Sequence, residues 1–510
     1  MSIQILIVDL GSQTALLIGR TLRELGVRSI VLSAERAASW LMQHKPKGII
    51  LSGGYASVYD ADAPAVPTQV LAPDVPLLGI CYGMQWIVQI LGGRIEAAQD
   101  QRGYGAEELE ILNETDPLLG HVTRKRNIVW MNHGDSVMGL PHGFRRTATS
   151  RHCGIAAMSA ITKPIYGVQF HPEVTQTECG REILGGFLKI CNAKLDWRPA
   201  NTVAEIRSEV AETIGKSKRA ILGFSGGVDS STLAAIIAPA LHRRLLCLTI
   251  DTGALRENEL DEIRLNAKYA GETPHLVVPA EVNFFHVIQR AGIDPESKRK
   301  AFRDMYQQFL EAEASIFRAD FLIQGTLATD RIESGATGGD TIKTHHNVGI
   351  ETRLTQLHPF RNLFKYEVRD IARHLRLPSS ISDREPFPGP GLFLRVVGGP
   401  ATQENVGIVR WADVKVREIL KGIKLERPFA QLVVGLFAGS RIVGVKGEKR
   451  VYGPPIVIRA VETADFMTCV GYRFPVDAKR QFEKVLTQHP MIVGVMYDES
   501  DKPPRTTEFE

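Results

Sequence analysis

The chain has 510 residues, of which 44% are hydrophobic, so it is long enough for two or three domains that each bury a core. Its 61 basic and 57 acidic residues nearly balance, at a formal charge of +4, and no run of like charge stands out. This balance gives no reason to expect nucleic acid or a membrane surface as a partner. No apolar stretch approaches the ~20 residues that a membrane-spanning helix needs.

The first residues predict a β-strand rather than a secretory signal. No basic segment precedes the apolar run, and the charged residue Asp9 ends it. The six cysteines are scattered without a C-x-x-C pair, which predicts neither a disulfide framework nor a zinc site. We therefore expect a cytoplasmic protein.

Short apolar runs alternate with helical segments in the N-terminal part of the chain. Ile3–Asp9, Gly48–Ser52 and Pro76–Ile80 are such runs, and their alternation predicts a mostly parallel α/β sheet. The pattern breaks at Asp196–Asn201, and a second alternating series begins with the strand predicted at Arg219–Phe224. A domain boundary is expected near residue 198.

The second series predicts another α/β domain, which ends at the Pro- and Gly-rich segment Phe387–Leu392. Beyond that segment, short apolar pairs between helical stretches predict a smaller α+β domain. The predicted fold class is thus α/β, with two successive mostly parallel α/β domains and a small α+β domain. Their predicted bounds are 1–197, 198–393 and 394–510.

Gly79–Gly83 reads G-I-C-Y-G and places Cys81 where an apolar strand meets a helix. Small residues on both sides permit the sharp strand-to-helix turn that exposes a nucleophile. The positive end of the helix dipole favours the thiolate, which is the reactive form of cysteine. Cys81 is therefore the cysteine that we expect to react.

A cysteine nucleophile needs a base, a group that orients the base, and donors for the developing oxyanion. His171 and Glu173 follow an apolar strand two residues apart, so we predict that they are the base and its orienting group. The backbone amides of Gly54 and Tyr82 are the predicted oxyanion hole. These motifs resemble the class I glutamine amidotransferase domain, and the resemblance implies glutamine hydrolysis through a γ-glutamyl thioester.

Leu222–Ser231 predicts a strand, a glycine-rich loop and a helix that begins near Asp229. Backbone amides and hydroxyls in such a loop form a nest for anions at the positive end of the helix. The loop lacks the Gly-Lys-Ser/Thr of a Walker sequence, so transfer of a γ-phosphate is not indicated.

The sequence S-G-G-V-D-S resembles the PP-loop of the N-type ATP pyrophosphatases, which adenylate a substrate and release pyrophosphate. The resemblance implies that Asp229 lies near Mg²⁺ and that Lys365 contacts the phosphates. It assigns the pyrophosphate to Ser225, Gly226, Gly227, Val228, Asp229, Ser230 and Ser231.

Over its full length the chain resembles the glutamine-hydrolysing GMP synthases, from the glutaminase motifs through F-P-G-P-G-L to the terminal K-P-P-x-T-x-E-x-E. The resemblance implies a carbon–nitrogen ligase that uses Mg²⁺ with ATP to adenylate XMP at its C2 oxygen. Ammonia from glutamine then displaces AMP to form GMP. It also implies a homodimer joined through the third domain.

The acceptor nucleotide is assigned by the same resemblance to Arg303, Lys343, Arg459, Lys502 and Glu508. Several positions on the acceptor side depart from the family pattern, including the segments 327–330 and 348–352. Glu385 stands where Gln or His is usual, and Thr507 stands where Ile is usual.

These departures leave a second hypothesis open, in which a related enzyme aminates a purine-analogue nucleotide, because a carboxylate accepts hydrogen bonds where an amide can also donate. A third is modification of RNA bases, which PP-loop enzymes also perform, although the mild charge does not favour it. A fourth is a regulatory protein without activity, against which the complete motifs argue.

Overall fold

The structure, a computed structural model, describes residues 3–12, 14–60, 63–64, 66–72, 74–97, 103–271, 273–333, 352–463, 469–502 and 504–510. It divides into two units. Among the described residues, the first unit holds those up to Arg198 together with 331–333, and the second holds the remainder from Pro199 onward. Among the described residues, no helix is both long and apolar enough to cross a membrane.

The strands of the first unit are β1 (Ile5–Asp9), β2 (Ser29–Ser33), β3 (Gly48–Leu51), β4 (Leu77–Ile80), β5 (Arg94–Ala97), β6 (Gly103–Ile111), β7 (Arg126–His133), β8 (Asp135–Gly139), β9 (Phe144–Ser150), β10 (Ala157–Ala160) and β11 (Ile165–Val168). Its helices are α1 (Ala15–Glu24), α2 (Ala34–Leu41), α3 (Tyr82–Ile90) and α4 (Gly180–Ile190).

Nine of these strands form one sheet in the order β2-β1-β3-β4-β11-β10-β9-β6-β7. The strands from β2 to β11 run parallel, and the pairs from β11 to β7 are antiparallel. Ile5 and Ile7 of β1 pack into one core, and Leu6 and Val8 pack into another, so this strand is covered on both faces. The carboxyl ends of β4 and β11 are neighbours, which brings the segments after them together.

The strands from Pro199 onward are β12 (Ala220–Gly223), β13 (Leu245–Asp251), β14 (His275–Pro279), β15 (Phe321–Ile323), β16 (Thr355–Leu357), β17 (Gln431–Leu436), β18 (Ile442–Lys446), β19 (Lys449–Gly453), β20 (Pro455–Glu462), β21 (Val470–Gly471) and β22 (Gly494–Asp498). The helices are α5 (Pro199–Ile214), α6 (Val228–Leu241), α7 (Glu259–Ala267), α8 (Glu281–Ala291), α9 (Pro295–Phe317), α10 (Ala328–Glu333), α11 (Lys365–His374), α12 (Ser379–Ser382), α13 (Gln403–Lys421) and α14 (Val476–Leu486).

The second unit has a fully parallel sheet in the order β14-β13-β12-β15-β16. A four-stranded sheet follows, in which β20 pairs with β17, β21 and β22, and β18 with β19 forms a separate hairpin. One apolar core runs from Ile221 and Leu248 of the parallel sheet to Ile456 of the later sheet and Phe482 of α14.

The predicted α/β class with parallel sheets is confirmed in both units. The antiparallel half of the first sheet is an addition that the sequence did not indicate. Its strands β7 and β9 are long and partly exposed, and the polar residues of β9 resemble a loop more than a buried strand.

Candidate active sites

Cys81 occupies a sharp turn between β4 and α3. Its backbone has φ 49° and ψ −107°, which is a strained conformation for a residue with a side chain. A Cβ added at Gly79 would lie 2.6 Å from the carbonyl of Gly83, and one at Gly83 would lie 2.6 Å from Leu51. Only glycines at these positions let the helix pack so closely against the strands, and the turn holds Cys81 at the helix N-terminus.

His171 lies just beyond β11, next to the strand that carries Cys81, and its Nδ1 is 2.8 Å from Oε1 of Glu173. Both side chains are buried. Burial lowers the pKa of His171, but the charge of Glu173 and the neighbouring sulfur of Cys81 outweigh it and hold the pKa well above its ordinary value. The carboxylate of Glu173 therefore favours the protonated form of the ring.

Gly53 lies close to both His171 and Cys81. A Cβ added there would lie 2.9 Å from Cε1 of His171 and 3.7 Å from Cβ of Cys81. The thiol lies 3.5 Å from the carbonyl oxygen of Asn132 and 3.8 Å from Nε2 of Gln169. Nε2 of His171 makes no hydrogen bond within the described part of the chain, so it is available for proton transfer.

The two predicted oxyanion donors are neighbours. A Cβ on Gly54 would lie 3.2 Å from Cγ of Tyr82 and 2.7 Å from the carbonyl oxygen of Leu10, so close packing requires glycine. The Tyr82 amide is the first of α3, and the first amides of a helix have no acceptor within that helix. Gly54 is thus packed against the residue that follows the nucleophile.

Four of the other cysteines are buried thiols whose pKa is raised. All six are free and buried. Burial raises the pKa of Cys153, Cys179, Cys191 and Cys247 to about 12, so these four stay protonated at neutral pH.

Thr14 contributes to the first site and was missed by the sequence analysis. Its hydroxyl donates to Oε1 of Glu173 at 2.6 Å and lies 2.8 Å from the hydroxyl of Ser12. A threonine far from Glu173 in sequence carries no motif that could have indicated this contact.

The glycine-rich loop of the second unit joins β12 to α6. Gly226 has φ +67°, and a Cβ there would lie 2.8 Å from Ile263, so only glycine fits. The hydroxyl of Ser225 lies 3.2 Å from that of Ser230 and accepts from the amide of Gly227 at 3.4 Å. The loop is thus folded around its own hydroxyls at the N-terminus of α6.

Asp229 and Lys365 meet beside this loop. Nζ of Lys365, the first residue of α11, is 2.5 Å from Oδ2 of Asp229. Oδ1 of Asp229 is buried and has no partner among the described residues. In the same described ranges no cluster of three or more His, Cys, Asp or Glu side chains could hold a metal ion, so a cation here would depend on Asp229 and on ligand oxygens.

Among the described residues, the predicted acceptor residues form one group around Glu508 and a second group around Arg459. Arg303 lies apart from both groups. Glu508 accepts from Arg395 at 3.3 Å and from Gln431 at 2.7 Å. Arg459 is fully buried and donates to Asp498 at 3.1 Å. Burial lowers the pKa of Arg459 even though Asp498 opposes this shift.

The C-terminal segment carries the other members of the second group. The carbonyl oxygen of Thr507 accepts from Nε of Arg459 at 3.2 Å, and the backbone of Lys502 pairs with that of Cys469. Arg303 of α9 lies 3.9 Å from Asp304, and within the described residues no hydrogen bond or ion pair joins it to the others. Lys343 lies outside the described residues.

Glu385 takes part in an ion pair that the sequence did not indicate. Both of its carboxylate oxygens lie 3.1 Å from guanidinium nitrogens of Arg417, and one also accepts from the amide of Leu432 at 3.2 Å. The preceding residue, Arg384, donates to the carbonyl oxygen of Gly226 at 2.9 Å and also pairs with Glu259. The carboxylate is therefore already engaged within the protein.

Comparison with known proteins places these sites in a family. Residues 6–191 match Glutamine amidotransferase class-I, and residues 418–509 match GMP synthase C terminal domain. Proteins named GMP synthase [glutamine-hydrolyzing] align over 99% of this chain and 98% of their own length, at 40% identity in Thermobifida fusca, 39% in Bacillus subtilis and 38% in Pediococcus pentosaceus. The chain belongs to the glutamine-hydrolysing GMP synthase family.

The family match covers the sites unequally. The residues around Cys81 lie within the amidotransferase match, and the C-terminal match includes Arg459, Lys502 and Glu508. The loop Ser225–Ser231 lies between the two matched ranges, but within the full-length alignments.

Proposed function

We propose that this chain is a carbon–nitrogen ligase that aminates XMP to GMP, with glutamine as the nitrogen source and ATP converted to AMP and pyrophosphate. The observation that carries the proposal is the full-length identity of 38–40% to proteins named GMP synthase [glutamine-hydrolyzing]. The two separate sites, one around Cys81 and one around Ser225–Ser231, support it.

At the first site, Cys81 attacks the side-chain carbonyl of glutamine as a thiolate, and the amides of Gly54 and Tyr82 stabilise the oxyanion. His171 gives its proton to the departing ammonia, and a γ-glutamyl thioester remains. His171 then takes a proton from the water that hydrolyses the thioester to glutamate. Glu173 holds the ring through Nδ1, so that Nε2 faces the reacting atoms.

At the second site, the C2 oxygen of XMP attacks the α-phosphorus of ATP and expels pyrophosphate. The loop Ser225–Ser231 binds the pyrophosphate through its hydroxyls and amides, and Lys365 balances its charge. Ammonia then attacks C2 of the purine and displaces AMP. Arg459, Lys502 and Glu508 would bind the acceptor nucleotide, together with Arg303, Lys343 and Thr507.

The residues beside the loop fit a magnesium ion carried by ATP. Mg²⁺ is usually held by one or two carboxylates together with substrate phosphates, and Oδ1 of Asp229 is a buried oxygen without a partner among the described residues. When bound, the ion would neutralise charge on the phosphates. Lys365 keeps the other oxygen, Oδ2, in place.

We also propose the three-part division at residues 197/198 and 393/394, a homodimer and a cytoplasmic location. In support of the homodimer, the hairpin of β18 and β19 exposes Val443, Val445 and Tyr452, each by more than half of its surface. Exposed apolar side chains on one hairpin suit a protein–protein contact. Sedimentation of the purified chain measures the oligomeric state, and a monomer at micromolar concentration would contradict this part.

The test of the main proposal is AMP release with XMP, ATP and either glutamine or ammonium salt. We expect Cys81→Ala to abolish the glutamine-dependent reaction and to leave the ammonia-dependent reaction within about twofold, because the two sites are separate. Cys153→Ala is the matched control, since burial raises the pKa of that thiol to about 12. Loss of both reactions in folded Cys81→Ala protein would contradict the assignment.

Nothing favours a purine analogue as the acceptor. That alternative rested on Glu385, and the structure gives its carboxylate partners within the protein, Arg417 and Leu432. Turnover of an analogue nucleotide in preference to XMP would restore the alternative.

A further inference from the structure

Glu385 is one of the acceptor-side positions where the sequence analysis indicates a departure from the family pattern, and the structure gives its carboxylate a partner within the protein. Arg417 of α13 holds both oxygens in a two-pronged contact, at 3.1 Å each. Two parallel hydrogen bonds between a guanidinium group and a carboxylate fix the orientation of both groups and also pair their charges. Leu432 adds a backbone donor from β17 at 3.2 Å.

The ion pair continues to the predicted acceptor residue Glu508. Nε of Arg417 lies 2.8 Å from one oxygen of Asp413, and the other oxygen lies 3.4 Å from Arg395. Arg395 in turn donates to both oxygens of Glu508 at 3.3 Å. Carboxylates and guanidinium groups thus alternate from Glu385 to Glu508, and each middle member contacts both of its neighbours.

The charges of this network balance within a poorly hydrated region. Arg395 is fully buried, and the exposed fraction of Asp413 is 3%. Arg256 and Arg395 both lie over the ring of Phe387, at 4.2 and 5.0 Å from its centroid. Hydrogen bonds join two guanidinium groups, Arg395 and Arg417, to the carboxylates of Glu385, Asp413 and Glu508. Arg256 adds a third guanidinium group, whose charge acts on Asp413.

The pKa shifts of the buried groups agree with this pairing. Burial alone would raise the pKa of Asp413, but Arg417 and Arg395 lower it overall. Burial, and after it the like charges of Arg395 and Arg417, lower the pKa of Arg256 to about 10, although Asp413 and Glu259 oppose this shift. Loss of one carboxylate would therefore leave an excess positive charge that the remaining partners must share.

We propose that Glu385 is a positioning residue for the acceptor nucleotide, acting through Arg417, Asp413 and Arg395 on Glu508. This inference rests on the proposed function, because the orientation of Glu508 matters only if Glu508 contacts the acceptor nucleotide. Glu385 itself does not read the purine. Without its charge, Arg417 draws Asp413 away from Arg395, and Arg395 no longer holds Glu508 in the binding geometry.

The test compares Glu385→Gln with the double substitution Glu385→Gln/Arg417→Met in the full chain. Glutamine retains an oxygen for the Leu432 amide but removes the charge, and methionine removes the guanidinium that is left without its partner. The double variant keeps two guanidinium groups against two carboxylates. Glu418→Gln is the matched control, because Glu418 lies on the same helix in an exposed pair with Lys415.

We expect Glu385→Gln to raise KM for XMP about 5- to 20-fold in the ammonia-dependent reaction. The reason is that the substitution weakens binding of XMP equally in the ground state and in the transition state. kcat, KM for ATP and glutamine hydrolysis should stay within about twofold, and the double variant should return KM for XMP to within about threefold of wild type. If Glu385→Gln does not fold, Glu385→Asp keeps the charge with shorter reach and should raise KM by a smaller factor.

Three results would overturn the inference. A lower melting temperature with KM for XMP unchanged would make Glu385 purely structural. A switch toward an analogue nucleotide that Arg417→Met does not reverse would place Glu385 in contact with the base. Failure of the unmodified chain to turn over XMP would overturn the proposed function first and this inference with it, which distinguishes the two failures.

Discussion

The hydroxyl of Thr14 donates a hydrogen bond of 2.6 Å to the same oxygen of Glu173 that lies 2.8 Å from Nδ1 of His171. The other oxygen, Oε2, is buried and has no partner among the described residues. Two contacts on one oxygen fix the carboxylate plane, and through it the histidine ring. Thr14 therefore orients the base His171 indirectly, through Glu173.

Replacing Thr14 tests this relationship. We expect Thr14→Val to lower glutaminase kcat/KM by about 10-fold or more, because hydrogen bonds to charged groups are worth about 1.5–3 kcal/mol. Thr14→Ser retains the hydroxyl and should stay within about threefold of wild type. Glutamate release measures the effect, and an equal loss in both variants would show that the methyl group matters instead.

The pKa of His171 gives a prediction for pH. Burial lowers this pKa, but Glu173 and Cys81 raise it well above the value of about 6.5 that an unfolded chain has. A raised folded pKa contributes stability that is fully present below about pH 6.5 and is lost as pH rises through the folded value. Glu173→Gln removes the main favourable charge and should lower the pKa of His171.

Thermal melting at several pH values measures this effect. The melting temperature of Glu173→Gln should fall furthest below wild type near pH 6 and approach it as pH rises. ¹⁵N-histidine spectra should show ring deprotonation at lower pH in the variant. Glu107→Gln is the control, because its pair with His152 is more exposed. A difference that grows with pH would contradict the assignment.

Local patterns predicted the two motifs well, because each is a strand, a turn and a helix that lie within about a dozen residues. The turn at Cys81 needs Gly79 and Gly83, and both are visible in the sequence. The relations that cross the chain were not predictable. Thr14 lies 159 residues from Glu173, and Glu385, in the segment after α12, lies 32 residues from Arg417 on α13. The sequence therefore could not predict that Arg417 pairs with Glu385. It did show that Glu385 differs from the residues usual in the family at this position.

Lys365 should matter for synthesis but not for glutamine hydrolysis. Its ammonium group is 2.5 Å from Asp229, beside the pyrophosphate loop. We expect Lys365→Met to lower ammonia-dependent AMP release by about 100-fold, as loss of one charged donor at a developing anion does elsewhere. Glutamate release should be unchanged. Lys484→Met on the exposed face of α14 is the control, and an unchanged synthesis rate in Lys365→Met would remove Lys365 from the site.

Lys298 and Glu510 form a buried ion pair that anchors the C-terminal segment next to Glu508. Nζ of Lys298 lies 2.7 Å from Glu510 and 2.8 Å from the carbonyl oxygen of Val396, and the side chains are 0% and 3% exposed. The other oxygen of Glu510 accepts from the amide of Gly398 at 2.9 Å. The terminal carboxylate side chain is thus held on two sides.

Glu510→Gln leaves the charge of Lys298 buried without its counterion, and breaking such a pair costs about 3–5 kcal/mol. We therefore expect the urea midpoint for unfolding of the second unit to fall clearly. Lys298→Met/Glu510→Gln should recover much of that loss, because no isolated charge remains. Exposed Glu448→Gln is the control, and it should leave the midpoint unchanged. If the double variant were less stable than Glu510→Gln alone, Lys298 would stabilise the fold by a contact other than this pair.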